Sequence, residues 1–158
     1  MIWFILLGIT ALCSIVHIVL SKKPRTVKNI IGVVLIYLFA FNYGLMGIMA
    51  FYQHAFNSAV VAAMIGWQPS PFQFEMAMTN LAIGVLGLMC IFIHGDFWLA
   101  TAVNIFVIYL GCAYGHWIEM TFRHNMAPYN AGLGIWLTDA VMPIVLLALV
   151  LIERRLKA

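Results

Sequence analysis

The chain has 158 residues, 65% of them hydrophobic and 8% charged, with a net charge of +3 and a mean hydropathy of +1.05. So apolar a composition lies outside the range of soluble domains, and the small positive balance is no signal for nucleic acid. At about 20 residues per crossing the length holds about five membrane spans and no separate soluble domain, which predicts an all-α integral membrane protein, one compact transmembrane bundle.

Residues 1–20 form the first apolar run. It has no basic leader and its charges follow the apolar stretch, so it reads as an uncleaved span with the amino terminus outside rather than as a signal peptide. Further spans are expected near residues 30–52, 72–93, 97–122 and 133–152. The connection between the second and third contains Asn57-Ser-Ala-Val-Val-Ala-Ala-Met-Ile-Gly-Trp67. That segment is too short to cross but suits a short helix lying in the interface, with Trp67 at headgroup depth. Gln68-Pro-Ser-Pro71 then forces an extended turn, because each proline disfavours helix in the residue before it. Glu75 follows in the first turn of the third span, where the helix dipole stabilises an anion by about 0.3–1 kcal/mol.

Seven of the eight lysines and arginines lie in Ser21-Lys-Lys-Pro-Arg-Thr-Val-Lys28 and Glu153-Arg-Arg-Leu-Lys157. They read as topology determinants. An odd number of spans puts both clusters on one side, and the excess of positive charge makes that side cytoplasmic. With no other targeting signal in view, the expected location is the inner membrane of a prokaryote. Gly44 with Gly47, Gly84 with Gly87, and Gly111 with Gly115 predict close approach of spans. Cys13, Cys90 and Cys112 lie inside apolar runs at no metal-like spacing and read as packing residues.

Polar residues within the apolar runs carry the functional signal, since hydrocarbon penalises them. In Tyr114-Gly-His-Trp-Ile-Glu-Met-Thr-Phe-Arg-His124 the spacing puts His116, Glu119 and Arg123 on one helical face. A plain ion pair from Glu119 to Arg123 at the water boundary accounts equally well for two of them. Asp139 lies about two turns inside the fifth span, where an unpaired charge costs about 2.5–3.5 kcal/mol, so it needs a partner or a proton. Pro143, four residues on, cannot donate to the Asp139 carbonyl. If the outer helix ends converge, Glu75, His116, Glu119, Arg123 and Asp139 line one pocket, with His54 and His124 nearby. Imidazole and carboxylate together suit Zn, Fe or Mn as a transition-metal cofactor. Yet His-x-x-Glu occurs once, and in the reverse order of the Glu-x-x-His used in carboxylate-bridged metal bundles.

Two segments, Gly66-Trp-Gln-Pro-Ser-Pro-Phe-Gln-Phe-Glu75 and Met126-Ala-Pro-Tyr-Asn-Ala-Gly132 followed by Thr138-Asp139 and Pro143, resemble those of a family of small prokaryotic integral membrane proteins of unknown function. The resemblance transfers no activity. It implies that Glu75, Asn130 and Asp139 belong to the recognisable part of the chain.

Three functions fit. One is a small binding or transport protein whose outer pocket takes a metal ion, a proton or a small polar ligand. A second is an accessory subunit packed in a homo-oligomer or a larger membrane complex. The third is a membrane-embedded metal-dependent enzyme, for which no nucleophile elbow, phosphate loop or zinc-protease motif is present. The one partner common to all three is the lipid bilayer; none of them involves nucleic acid.

Overall fold

The computed structural model describes residues 2–156; Met1 of the first span and Lys157 of the basic tail lie outside the described residues. Among these there are helices and turns but no strand. Six helices organise the chain: α1 (Ile2–Leu20), α2 (Val27–Phe56), α3 (Ser58–Ile65), α4 (Phe72–Met89), α5 (Asp96–Arg123) and α6 (Pro128–Arg155). All but α3 are long and apolar enough to cross a membrane, which makes this the architecture of a multi-pass membrane protein.

Helix α3 is the short helix expected from sequence between the second and third spans. Two spanning helices overshoot the apolar runs, α2 from Val27 to Phe56 and α6 from Pro128 to Arg155, whereas α4 stops at Met89, short of the expected residue 93, and the chain goes on in turns through residue 92. Their outer turns are polar and continue because backbone hydrogen bonds propagate a helix beyond the point where hydropathy falls. Thr26 starts α2 by accepting from the Asn29 N–H at 3.2 Å, an N-cap that the apolar pattern does not reveal.

Helix α2 is the centre of the bundle and packs on α1, α4 and α6. Its Leu35, Leu38, Phe39 and Tyr43 are buried together with Ile83 of α4, Trp98 and Ile105 of α5, and Leu146 and Val150 of α6. The seam with α4 is made by glycine. A Cβ placed on Gly47 would come within 2.6 Å of the Gly84 nitrogen, and one on Gly87 within 2.6 Å of the Gly44 nitrogen. The expectation that Gly111 and Gly115 serve the same purpose fails, since both face open space. Helix azimuth decides this, and four-residue glycine spacing carries no information about azimuth.

Two stretches widen into π-helix, Leu38–Leu45 in α2 and Leu137–Val141 in α6. In the first, Thr10 of α1 lies 2.8 Å from Asn42 Oδ1 and 3.2 Å from the Tyr37 carbonyl, so a hydroxyl from the neighbouring helix serves groups exposed by the wider turn. Asn42 in turn donates to the Trp3 carbonyl at 3.3 Å. In the second, the Met142 N–H reaches back to the Leu137 carbonyl. Pro143 has no N–H to offer Asp139, which accounts for the departure from α-helix just ahead of it.

Candidate functional site

Three connections meet at the end of the bundle opposite the basic loop. Helix α3 ends at Gly66, whose left-handed conformation (φ +83°) no side chain adopts cheaply. The Trp67 N–H bonds back to the Ala62 carbonyl at 2.8 Å, and this turn carries the indole over α5. Helix α5 stops in the same way at His124 (φ 55°), with the Asn125 N–H donating to the Glu119 carbonyl at 3.1 Å. Asn125 then crosses to α3, giving its side-chain amide to the Ile65 carbonyl at 2.9 Å. A Cβ on Gly66 would collide with the Asn125 side chain, so glycine is required there twice over.

Within this frame His116 is held on three sides. Its ring stacks on Trp67, with centroids 6.4 Å apart and planes 20° from parallel. Nδ1 is 2.7 Å from Asn130 Oδ1, and Nε2 is 3.7 Å from Asp139 Oδ2. Asn130 is wholly buried, and its NH2 group donates to the Asn125 carbonyl at 2.7 Å. That bond fixes the amide orientation, because only nitrogen can donate to a carbonyl. Oδ1 therefore faces the imidazole, and Nδ1 must carry a hydrogen.

The consequence falls on the other ring nitrogen. A neutral imidazole protonated at Nδ1 presents a bare lone pair at Nε2, aimed at the Asp139 carboxyl. Two acceptors facing one another across 3.7 Å repel, and a proton on either one would relieve that repulsion. The separation exceeds the about 2.7–3.2 Å of a hydrogen bond, so no closed bond joins the two groups. Oδ1 of Asp139 lies 2.7 Å from the Thr138 hydroxyl, leaving Oδ2 as the oxygen that faces histidine. Both side chains are largely but not wholly enclosed, at 11% exposure for His116 and 14% for Asp139.

Of the other residues singled out from sequence, Glu119 binds Arg123 at 2.7 Å as an i, i+4 ion pair, the plain alternative considered for them. Glu75 is exposed in the first turn of α4. His54 meets the buried Gln73 at 2.6 Å. His124 serves as the left-handed residue ending α5, with its side chain exposed. These residues do not join His116 and Asp139, and among the described residues no three His, Cys, Asp or Glu side chains gather as a metal site would require. The donor set at His116 is one imidazole and one carboxylate already engaged with amide and hydroxyl partners, which does not fit Zn, Fe or Mn.

Sequence reasoning passed over Trp67, Thr138 and Asn125 as parts of this site. Their signals were weak, a glycine before a tryptophan and a threonine beside an acid. Inward from His116 and two turns earlier on the same face stands Tyr109, which meets Tyr43 edge-on at 5.8 Å. The Tyr43 hydroxyl is buried without a hydrogen-bond partner among the described residues.

A family model matches the chain along residues 1–158. The chain belongs to a family of unknown function, DUF6790. No curated protein and no solved structure matches it. Family membership brings no reaction with it, so the functional reading rests on the geometry above.

Proposed function

We propose that this is a small proton-linked membrane protein of the binding or transport class, in which His116 and Asp139 form the proton site. One observation carries the reading: the buried Asn130 amide forces the hydrogen of His116 onto Nδ1, so that Nε2 and Asp139 Oδ2 hold a single proton between them. Gain of a second proton would make the pair cationic, and loss of the first would make it anionic. Each change creates an uncompensated charge in a low-dielectric setting, which is the kind of event that drives a conformational or transport step. Placement in the inner membrane of a prokaryote, with the amino terminus outside and this site toward the outer face, is supported by the basic loop and basic tail lying together at the other end.

The test uses Trp67 as the reporter, because a protonated imidazole stacked on an indole quenches its fluorescence. Purified protein titrated between pH 4 and 9, a range spanning carboxylate and imidazole ionisation, is expected to show a fluorescence transition that is lost in both Trp67→Phe and His116→Gln. Proteoliposomes carrying a pH-sensitive dye are expected to acidify under an inward proton gradient, and Asp139→Asn to abolish that flux. A transition unchanged by His116→Gln would overturn the assignment.

A second reading has its own support. Asn125 and Asn130 spend their side-chain amides tying α3, α5 and α6 together, which is what an accessory subunit of a larger complex would also need. That reading expects Asp139→Asn to lower stability and flux to be absent even in the wild type. The metal-dependent enzyme has no such support, for want of a third ligand beside His116 and Asp139.

A further inference from the structure

At the opposite end of the bundle a cavity of about 440 Å³ opens between the α1–α2 loop, the first turns of α2, the turn before α5 and the end of α6. Lys23, Arg25, Lys28 and Arg154 line it, against one carboxylate, Glu153. Arg154 is already engaged with Asp96 at 2.7 Å. Lys28 is different. It is half-buried on the first turn of α2, where the helix dipole disfavours a cation. Among the described residues no carboxylate lies within 4 Å of it, or of Lys23 or Arg25. Positive charge has thus been gathered around a concavity at some cost to the helix start, with nothing in the described chain to neutralise it.

The wall is of two kinds. Toward the membrane it consists of Ile30, Val33, Ile36 and the largely buried Trp98, and toward the aqueous rim it consists of the cations with Asn29 and Ser21. A group that is anionic at one end and apolar at the other satisfies both. Topology alone asks only that lysine and arginine stand near the span ends; it does not ask that they face a common cavity.

We propose that this cavity binds a phosphate-bearing anion, the charge held by Lys23, Arg25 and Lys28. The apolar wall suits the phosphate of an anionic phospholipid, whose acyl chains would lie along Ile30, Val33 and Ile36. Free phosphate offers the same head chemistry without the chains. This proposal is independent of the His116–Asp139 reading, being carried by other residues at the other end of the bundle.

Thermal unfolding in an uncharged detergent tests it, with three additions: dioctanoyl phosphatidylglycerol, dioctanoyl phosphatidylcholine, and inorganic phosphate against chloride at matched ionic strength. Ligand that binds only the folded state raises the midpoint, here by about 3 °C or more at saturation. Phosphatidylglycerol is expected to do so and phosphatidylcholine not to. A rise with inorganic phosphate equal to that with phosphatidylglycerol would assign the free anion as the occupant. Lys28→Gln is expected to remove at least two thirds of the shift. Should that variant fail to fold, Arg25→Gln in the exposed loop is expected to halve it, while Lys22→Gln, outside the cavity, leaves it whole. Equal shifts with both lipids, or no shift with either lipid or with phosphate, would overturn the proposal.

Discussion

The two ends of this bundle handle charge in opposite ways. At the end opposite the basic loop an acid and a histidine face one another at 3.7 Å, largely enclosed, and each is also met by an amide or a hydroxyl. At the basic end cations outnumber carboxylates around an open cavity and most are unpaired among the described residues. A matched pair of opposite sign can stay neutral on its own by sharing a proton, which is the reading proposed for it. A surplus of one sign at the rim instead attracts something from outside the chain.

The largest effect that would break this contrast is at His116. His116→Gln is expected to eliminate the pH transition of Trp67 fluorescence, and Asp139→Asn to displace it to lower pH by removing the facing carboxylate, with the double variant matching His116→Gln. That non-additivity, read from the three titrations, shows the two side chains acting as one unit. Next in size is Asn130→Leu, which keeps the volume but leaves the Asn125 carbonyl and His116 Nδ1 unpaired. Unfolding in mixed detergent should show a loss of about 1–3 kcal/mol. Gly47→Ala should cost a comparable amount by driving α2 from the Gly84 backbone, about 1–3 kcal/mol, whereas Gly111→Ala, facing open space, should stay within about 0.5 kcal/mol. The smallest effect belongs to the surface. Glu119→Gln is expected to change stability by no more than about 0.5 kcal/mol and to leave the fluorescence titration untouched, since Arg123 is mostly exposed. A Glu119→Gln variant without its titration would join that carboxylate to the proton site after all.

Much of this was legible in the order of the residues. Apolar runs located five spanning helices, and the segment ending at Trp67 announced a short helix between the second and third. That His116 and Asp139 lie near one another was legible too, by counting residues from the span ends. Direction around each helix axis was not. Glu75 and His54 were counted to the same end as His116 but form no three-residue cluster with it, since the rotation of α2 and α4 is set by glycine contacts at Gly44, Gly47, Gly84 and Gly87, while His124 is taken up by the left-handed turn that ends α5. The π-turns escaped notice for a related reason: a residue gained within a turn changes neither composition nor run length, only azimuth. Asn130 entered through a recognisable segment, and nothing in its own neighbourhood foretold that it would choose the tautomer of a histidine.

The connection between α5 and α6 spans only residues 124–127. In biosynthetic terms these two helices make a self-contained hairpin, since the acid on the second and its histidine on the first are both present once the last span is made, and pairing them requires no other part of the bundle.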